Sequence, residues 1–582
     1  MNHKSIHFFL DAGIATGFVS LALAFFIITI GFASQSPSTA VPVADLSGFV
    51  RDANGPIVGA TVRIKATDKK AITDSQGHFV LSGLSANDPI VLTAWAKGYY
   101  NGGGKTEHLA GETDIEIVLT AHGDTDNPDY EWLSAFAHAG YEGSGENSNC
   151  ENCHADPNNP AVALPFSEWL KDAHALSAKN SRFLTLYNGT DIYGNQSPET
   201  QYFQTRDYGR IPLRPDPNKP YFGPGYKLDF PSTAGNCAAC HTPAAAIDAP
   251  YTTDPTTVSG VGAEGAACDF CHKIWNVNLN PASGLPYPNM PGVLSFVFRR
   301  PAKEHQFFAG PFDDVAPGED TYSSLQKQSQ YCAPCHFGVF WDTVVYNSFG
   351  EWLESPYSNP ETGKTCQDCH MPPGQNNHFA RLDKGGVIRD PQTIFSHNMP
   401  GAANEELLQN AVNMDVKADR NGERLIVTVT ITNDRTGHHV PADSPLRHLI
   451  LVVRATDAQG HLLDLSEGPV IPQWCGVGDP NDGYYGGLPG KVFAKVLEEL
   501  WTEVSPTGAY WNPTRLLSDN RIAAFAADSS IYTFVADTDD KITVNVVLLF
   551  RRAFIDMALQ KGWGMSDIVM ESKVVSVLGY GS

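Results

Sequence analysis

The pattern Cys-x-x-Cys-His occurs five times in this chain: CENCH (Cys150, Cys153, His154), CAACH (Cys237, Cys240, His241), CDFCH (Cys268, Cys271, His272), CAPCH (Cys332, Cys335, His336) and CQDCH (Cys366, Cys369, His370). These copies use ten of the eleven cysteines. Two thiols on one turn can add to the two vinyl groups of a single porphyrin, and the next residue then offers an imidazole to the iron. The motifs therefore read as five attachment sites for covalently bound heme c. Cysteines spaced this way also build zinc sites and thioredoxin-like redox pairs, but neither chemistry demands His directly after the second Cys. With 19 histidines among 582 residues, five such coincidences are on the order of one in ten million or rarer.

A chain of this length accommodates three or four domains. Its net charge of −24, from 40 Lys+Arg against 64 Asp+Glu, excludes nucleic acid as a partner, because no basic run exists to neutralise phosphate. An acidic surface steers basic partners, so a basic redox protein is expected, alongside the simpler role of charge in solubility. Residues 1–44 form a targeting element plus linker. Lys4 precedes an uncharged apolar run from Ile14 to Phe32, longer than the usual signal-peptide core of about 7–15 residues and within the range of a spanning helix. An uncleaved transmembrane anchor is favoured over a signal peptide cut near Gly31 and Ala33. Either way the remainder is exported to the periplasmic or extracellular face.

Composition divides the rest. Residues 45–122 carry short alternating runs such as ATVRIKA, GHFVLSG, IVLTAWA and IEIVL between Asn-Gly, Gln-Gly and Asn-Asp-Pro turns, the pattern of a β-sandwich. Residues 123–402 are rich in Gly, Pro, Asn and Asp with weak periodicity, so they read as loops and short helices organised around prosthetic groups that supply apolar faces. Helices are expected at the motifs and at Pro165–Asn180. Residues 403–582 return to strand patterns, including LIVTVTITN and ITVNVVLLFRRAF, and read as a second β-sandwich followed by the helix AFIDMALQKGW. Cys475 there is expected to be a buried, inert thiol.

Bis-His ligation of five irons needs five more imidazoles. Setting aside the motif histidines and those outside the heme region leaves His138, His174, His305, His378 and His397, which are the expected distal ligands. The doublet His438-His439 is the substitute if one of them fails.

The order GFVRDANGPIVGATVRI, TDSQGHFVLSGL, AWAKGYY resembles the carboxypeptidase-regulatory-like β-sandwich, which implies a binding or spacer module without catalytic groups. The W-x-x-x-A-H context of His174, ACDFCHKI, CAPCH, EWLESPYS, TCQDCHMPP and SHNMPG resemble multiheme c-type cytochromes of the tetraheme hydroxylamine-linked group. GHHVPADSPLRHLILVV resembles a β-domain fused to such cytochromes. That likeness implies His241, His272, His336 and His370 as proximal ligands of a tetraheme core extended by His154. It also implies His174, His305 and His397 as distal ligands and near-contact heme pairs. The chain departs from ammonia-forming nitrite reductases, which use a Cys-x-x-Cys-Lys motif; all five motifs here end in His.

The expected function is single-electron transfer along closely packed, low-potential bis-His hemes in periplasmic or extracellular respiration. The alternative is a reductase or oxidase of a small nitrogen or sulfur compound at one heme with an open iron position. Assembly into homo-oligomers or filaments is left open.

Overall fold

The computed structural model describes residues 43–86, 88–137, 149–303, 305–315, 318–537, 541–564 and 566–578. The apolar run Ile14–Phe32 lies outside the described residues; among those described, no helix is long and apolar enough to cross a membrane. The molecule is multidomain and mostly β, with few helices.

The N-terminal unit is a sandwich of two four-stranded sheets. One joins Val43–Asp52 to Gly55–Pro56, His78–Ser85 and, in parallel, Ile115–Val118. The other runs Lys70–Ile72, Thr61–Ile64, Ile90–Trp95, Gly102–His108. Alternate residues point inward, so Leu46, Val50, Val62, Phe79, Leu81 and Leu92 form a dry core. Gly48 is required where the first strand meets Ile115, since a Cβ would stand 2.1 Å from the Ile115 carbonyl oxygen. The strand Gly102–His108 was not legible in the sequence because its glycines carry no alternation, yet it pairs with Ile90–Trp95 across a bulge.

The heme region contains short helices, 3-10 turns and two-stranded ribbons; its longest described helix is Ser181–Asn188. The expected helix Pro165–Asn180 is interrupted. It ends at Trp169, and the buried Asp172 then bends the chain by accepting a hydrogen bond from the His174 backbone N–H at 2.8 Å. A side chain that satisfies the backbone locally removes the reason to continue the helix. Asn180 caps Ser181–Asn188 through the N–H groups of Arg182 and Phe183, starting a separate helix.

The C-terminal unit packs a four-stranded sheet (Asn413–Asn421, Arg424–Thr432, Ala527–Val535, Leu465–Glu467) on a five-stranded one (Thr514–Asp519, Gly490–Glu499, His448–Thr456, Ile542–Arg551, Ile568–Val577). Leu425, Val427, Val429 and Ile431 from one sheet meet Leu449, Leu451, Val544, Val546 and Leu548 from the other. Each such side chain contributes roughly 1.5–3 kcal/mol on burial. The helix Ile555–Lys561 follows, and Cys475 is fully buried as a free thiol.

Candidate heme sites

Three motifs form one-turn helices, Cys150–His154, Cys268–His272 and Cys366–His370. The second motif continues from Cys237 into Ala238–His241. The fourth is a turn closed by the His336 N–H on the Cys332 carbonyl at 3.2 Å. Three-residue spacing on a helical turn puts both thiols on one side. All ten motif cysteines are free and partly exposed, so none is consumed as a disulfide.

Four of the five motif histidines have their Nδ1 hydrogen-bonded to a backbone carbonyl. In His154, His272 and His370 the Nδ1–H donates at 2.7 Å to the carbonyls of Phe379, Ala309 and Pro400. In His241 it faces the Ser177 carbonyl at 3.3 Å, and in His336 it faces the Asp443 carboxylate at 3.9 Å. A carbonyl on Nδ1 fixes the neutral tautomer that carries its lone pair on Nε2, the form that ligates a metal. Burial pushes His241 and His370 down to about 4, which keeps both rings neutral at physiological pH.

Imidazoles meet in facing pairs. His174 stands 6.2 Å from His336 between ring centroids, and His370 stands 6.3 Å from His438 with planes 19° apart. With metal–imidazole bonds of about 2 Å and each nitrogen roughly 1.1 Å from its ring centre, two axial imidazoles on one iron give about 6.3 Å. The residues therefore fit hexacoordinate iron porphyrin. The remaining Nδ1 atoms are also committed, His174 to Asp172 Oδ1 at 2.6 Å and His438 to the His439 carbonyl at 3.0 Å. Among the described residues, no three His, Cys, Asp or Glu side chains are arranged around one metal ion in the way a zinc site requires.

The other expected distal residues are placed as follows. His397 is half-buried near His272 and His154, which interact with it electrostatically, and its backbone N–H donates to Glu168 Oε2 at 2.7 Å. His305 pairs its Nδ1 with Glu319 at 3.0 Å, with 67% of its side chain exposed. His378 is half-buried, its Nδ1 2.8 Å from Asn377 Oδ1. His138 lies outside the described residues.

The motifs also lie near one another. The thiols of Cys150 and Cys268 are near enough to influence each other's titration, as are Cys240 with Cys335 and Cys332 with Cys366. Cys271 lies near enough to Cys332 and Cys335 to interact electrostatically. All five motifs are therefore neighbours in one set, with the fourth beside the second, third and fifth.

Both sandwiches reach these sites. Arg63 forms a bidentate pair with Asp313 at 2.8 and 3.1 Å, and Ala66 N–H donates to Asp314 at 2.7 Å. Asp314 holds Arg389, which covers Phe312 and Phe379, stacked 4° from parallel. Phe379 carries the carbonyl that fixes His154. From the other side Asp443, on a loop of the C-terminal unit, faces His336. Sequence reasoning missed Asp172 and Asp443. The available signal for the first was Asp two residues before His, an Asx-turn spacing.

Among solved structures, a penta-heme cytochrome c552 from Thermochromatium tepidum is 17% identical, with 74% of this chain and 97% of that chain covered and a TM-score of 0.48. A cohesin–X-dockerin complex from Acetivibrio cellulolyticus is 20% identical over 14% of this chain and 58% of that chain, with a TM-score of 0.12. No curated protein matches the chain. Residues 45–120 match the carboxypeptidase regulatory-like domain family, in agreement with the sandwich described above.

Proposed function

We propose that this chain is an exported pentaheme c-type cytochrome that carries single electrons. The observation behind this reading is that five Cys-x-x-Cys-His motifs lie together, four of them with the histidine Nδ1 hydrogen-bonded to a backbone carbonyl, which favours Nε2 as the ligating atom. Bound heme c would supply an iron that takes up and releases one electron. Cys150 and Cys153, Cys237 and Cys240, Cys268 and Cys271, Cys332 and Cys335, and Cys366 and Cys369 hold the porphyrins. His154, His241, His272, His336 and His370 are the proximal ligands, and His174 is the distal ligand opposite His336. His397 serves His272 or His154. Imidazole on both faces favours low reduction potentials. The N-terminal run anchors or exports the chain, and the acidic surface steers basic redox partners.

A second reading, reduction or oxidation of a small nitrogen or sulfur compound at an open iron, draws on His241. Among the described residues no second imidazole is in ring contact with it, and Phe183 stacks on the face of its ring at 3.7 Å, away from the in-plane direction in which Nε2 would meet an iron. One experiment separates the two. Intact mass of the mature protein should exceed the polypeptide by five hemes of roughly 616 Da each, and ferric spectra should be entirely low spin and unchanged by cyanide or hydroxylamine. A high-spin component that vanishes on adding ligand favours the second reading, and a colourless or zinc-bearing protein removes both.

A further inference from the structure

We propose that His438, carried by the C-terminal sandwich, is the axial ligand opposite His370, so that the fifth attachment site is completed only when that domain docks on the heme region. The inference rests on Cys366–His370 being a heme site.

His370 ends a one-turn helix fixed by a capping box between Thr365 and Asp368. Its Nδ1–H donates to the Pro400 carbonyl, which leaves Nε2 as the ligating atom. His438 has the same posture, with Nδ1 on the His439 carbonyl. The centroid separation of 6.3 Å is what one shared iron imposes, and near-parallel planes are compatible with a common axis.

The loop presenting His438 is braced from both sides. Asn433 Nδ2 and Thr436 Oγ1 donate to the His438 carbonyl at 2.9 and 2.8 Å, and Val440 bridges to Ile522. Its neighbour His439 points elsewhere. The His439 Nδ1 lies 2.9 Å from Glu351 Oε1 and its backbone N–H donates to Oε2 at 3.1 Å. Glu351 belongs to the heme-region helix Ser348–Leu353 and also binds Arg521 at 2.8 Å, each side chain 4% exposed. A buried, fully paired carboxylate is a firm geometric anchor. His439 is thus the clamp and His438 the ligand. Gly437 permits the approach, because a Cβ there would stand 3.0 Å from both Trp352 Cδ1 and Tyr357 Cδ2. His378, the nearest histidine after the fifth motif in sequence, is half-buried and has its Nδ1 2.8 Å from Asn377 Oδ1.

The test uses full-length holoprotein. His438→Ala should keep five hemes by mass while one of the five irons becomes high spin in ferric electron paramagnetic resonance. Added imidazole should restore the low-spin signal. His438→Met should keep that iron low spin and shift one midpoint potential upward, because thioether ligation favours ferrous iron. His378→Ala should leave every iron low spin. The proposal is overturned if His438→Ala stays low spin throughout, or if His378→Ala produces the high-spin iron instead. A parent protein lacking heme at Cys366 overturns the function reading beneath it, and the mass reports that outcome separately.

Discussion

A histidine that holds a metal must offer one nitrogen and commit the other, and the commitment tunes what it offers. His174 donates its Nδ1–H to a carboxylate, Asp172, whose side chain is 2% exposed, whereas His154, His272 and His370 donate to neutral carbonyls. A carboxylate partner makes the ring more basic and stabilises ferric iron. Asp172→Asn should raise one midpoint potential by about 60 mV, the equivalent of a tenfold change for one electron, while leaving the heme count unchanged. A redox titration of the holoprotein measures it. An unmoved set of potentials would mean that His174 holds no iron.

At the scale of elements, the two kinds of structure owe their existence to different causes. A one-turn helix such as Cys268–His272 cannot stand on its own hydrogen bonds, because nucleation is costly; packing of its Phe270 against Phe296 and Phe298 holds it. The strands carry their own cores. His448 opens the strand His448–Thr456, fully buried, stacked on Phe554 and met edge-on by Trp474. Burial pushes its pKa from 6.5 down to about 4. The unfolded chain therefore takes up a proton below about 6.5 that the folded chain refuses until about 4, so stability falls across that window as pH drops. The loss is on the order of 3 kcal/mol. Thermal unfolding followed by circular dichroism should show a shallower acid decline for His448→Phe than for the parent. Equal slopes would remove His448 as the cause.

Across the whole molecule, the C-terminal sandwich is joined to the heme region by side chains that satisfy the partner's backbone. Lys561, at the end of the helix Ile555–Lys561, is fully buried and donates to the carbonyls of Thr185 and Thr190 at 3.0 Å each and of Pro224 at 2.6 Å. Burial pushes its pKa down to about 7, and Asp191 opposes the shift. Lys561→Met removes a donor from all three carbonyls, of which Thr185 still accepts from the N–H groups of Gly189 and Thr190, a cost of about 2 kcal/mol. It should lower the melting midpoint of the C-terminal unit by several degrees without altering heme number. Asp443 and His438 cross the same boundary, so loosening this contact should also raise high-spin iron in proportion.

The strand patterns and the N-terminal sandwich were legible because each is local. Alternation over a few residues determines which face is buried, and Cys-x-x-Cys-His fits on a single turn. Leu425–Asn433 and Ile542–Phe554 were read almost as they stand, at Arg424–Thr432 and Ile542–Arg551. The break after Trp169 was missed because Asp172 turns back on its own backbone, which helical periodicity does not encode. The partnering of imidazoles was illegible for a different reason. A pair of facing imidazoles is a contact between residues distant in sequence, and His438 ranked only as a substitute because it lies beyond the region of the five motifs. Only the docking of two domains through Glu351, His439 and Arg521 brings His438 opposite His370. Local chemistry in the sequence determined where the Cys-x-x-Cys-His turns fall; long-range packing decided which histidines face each other.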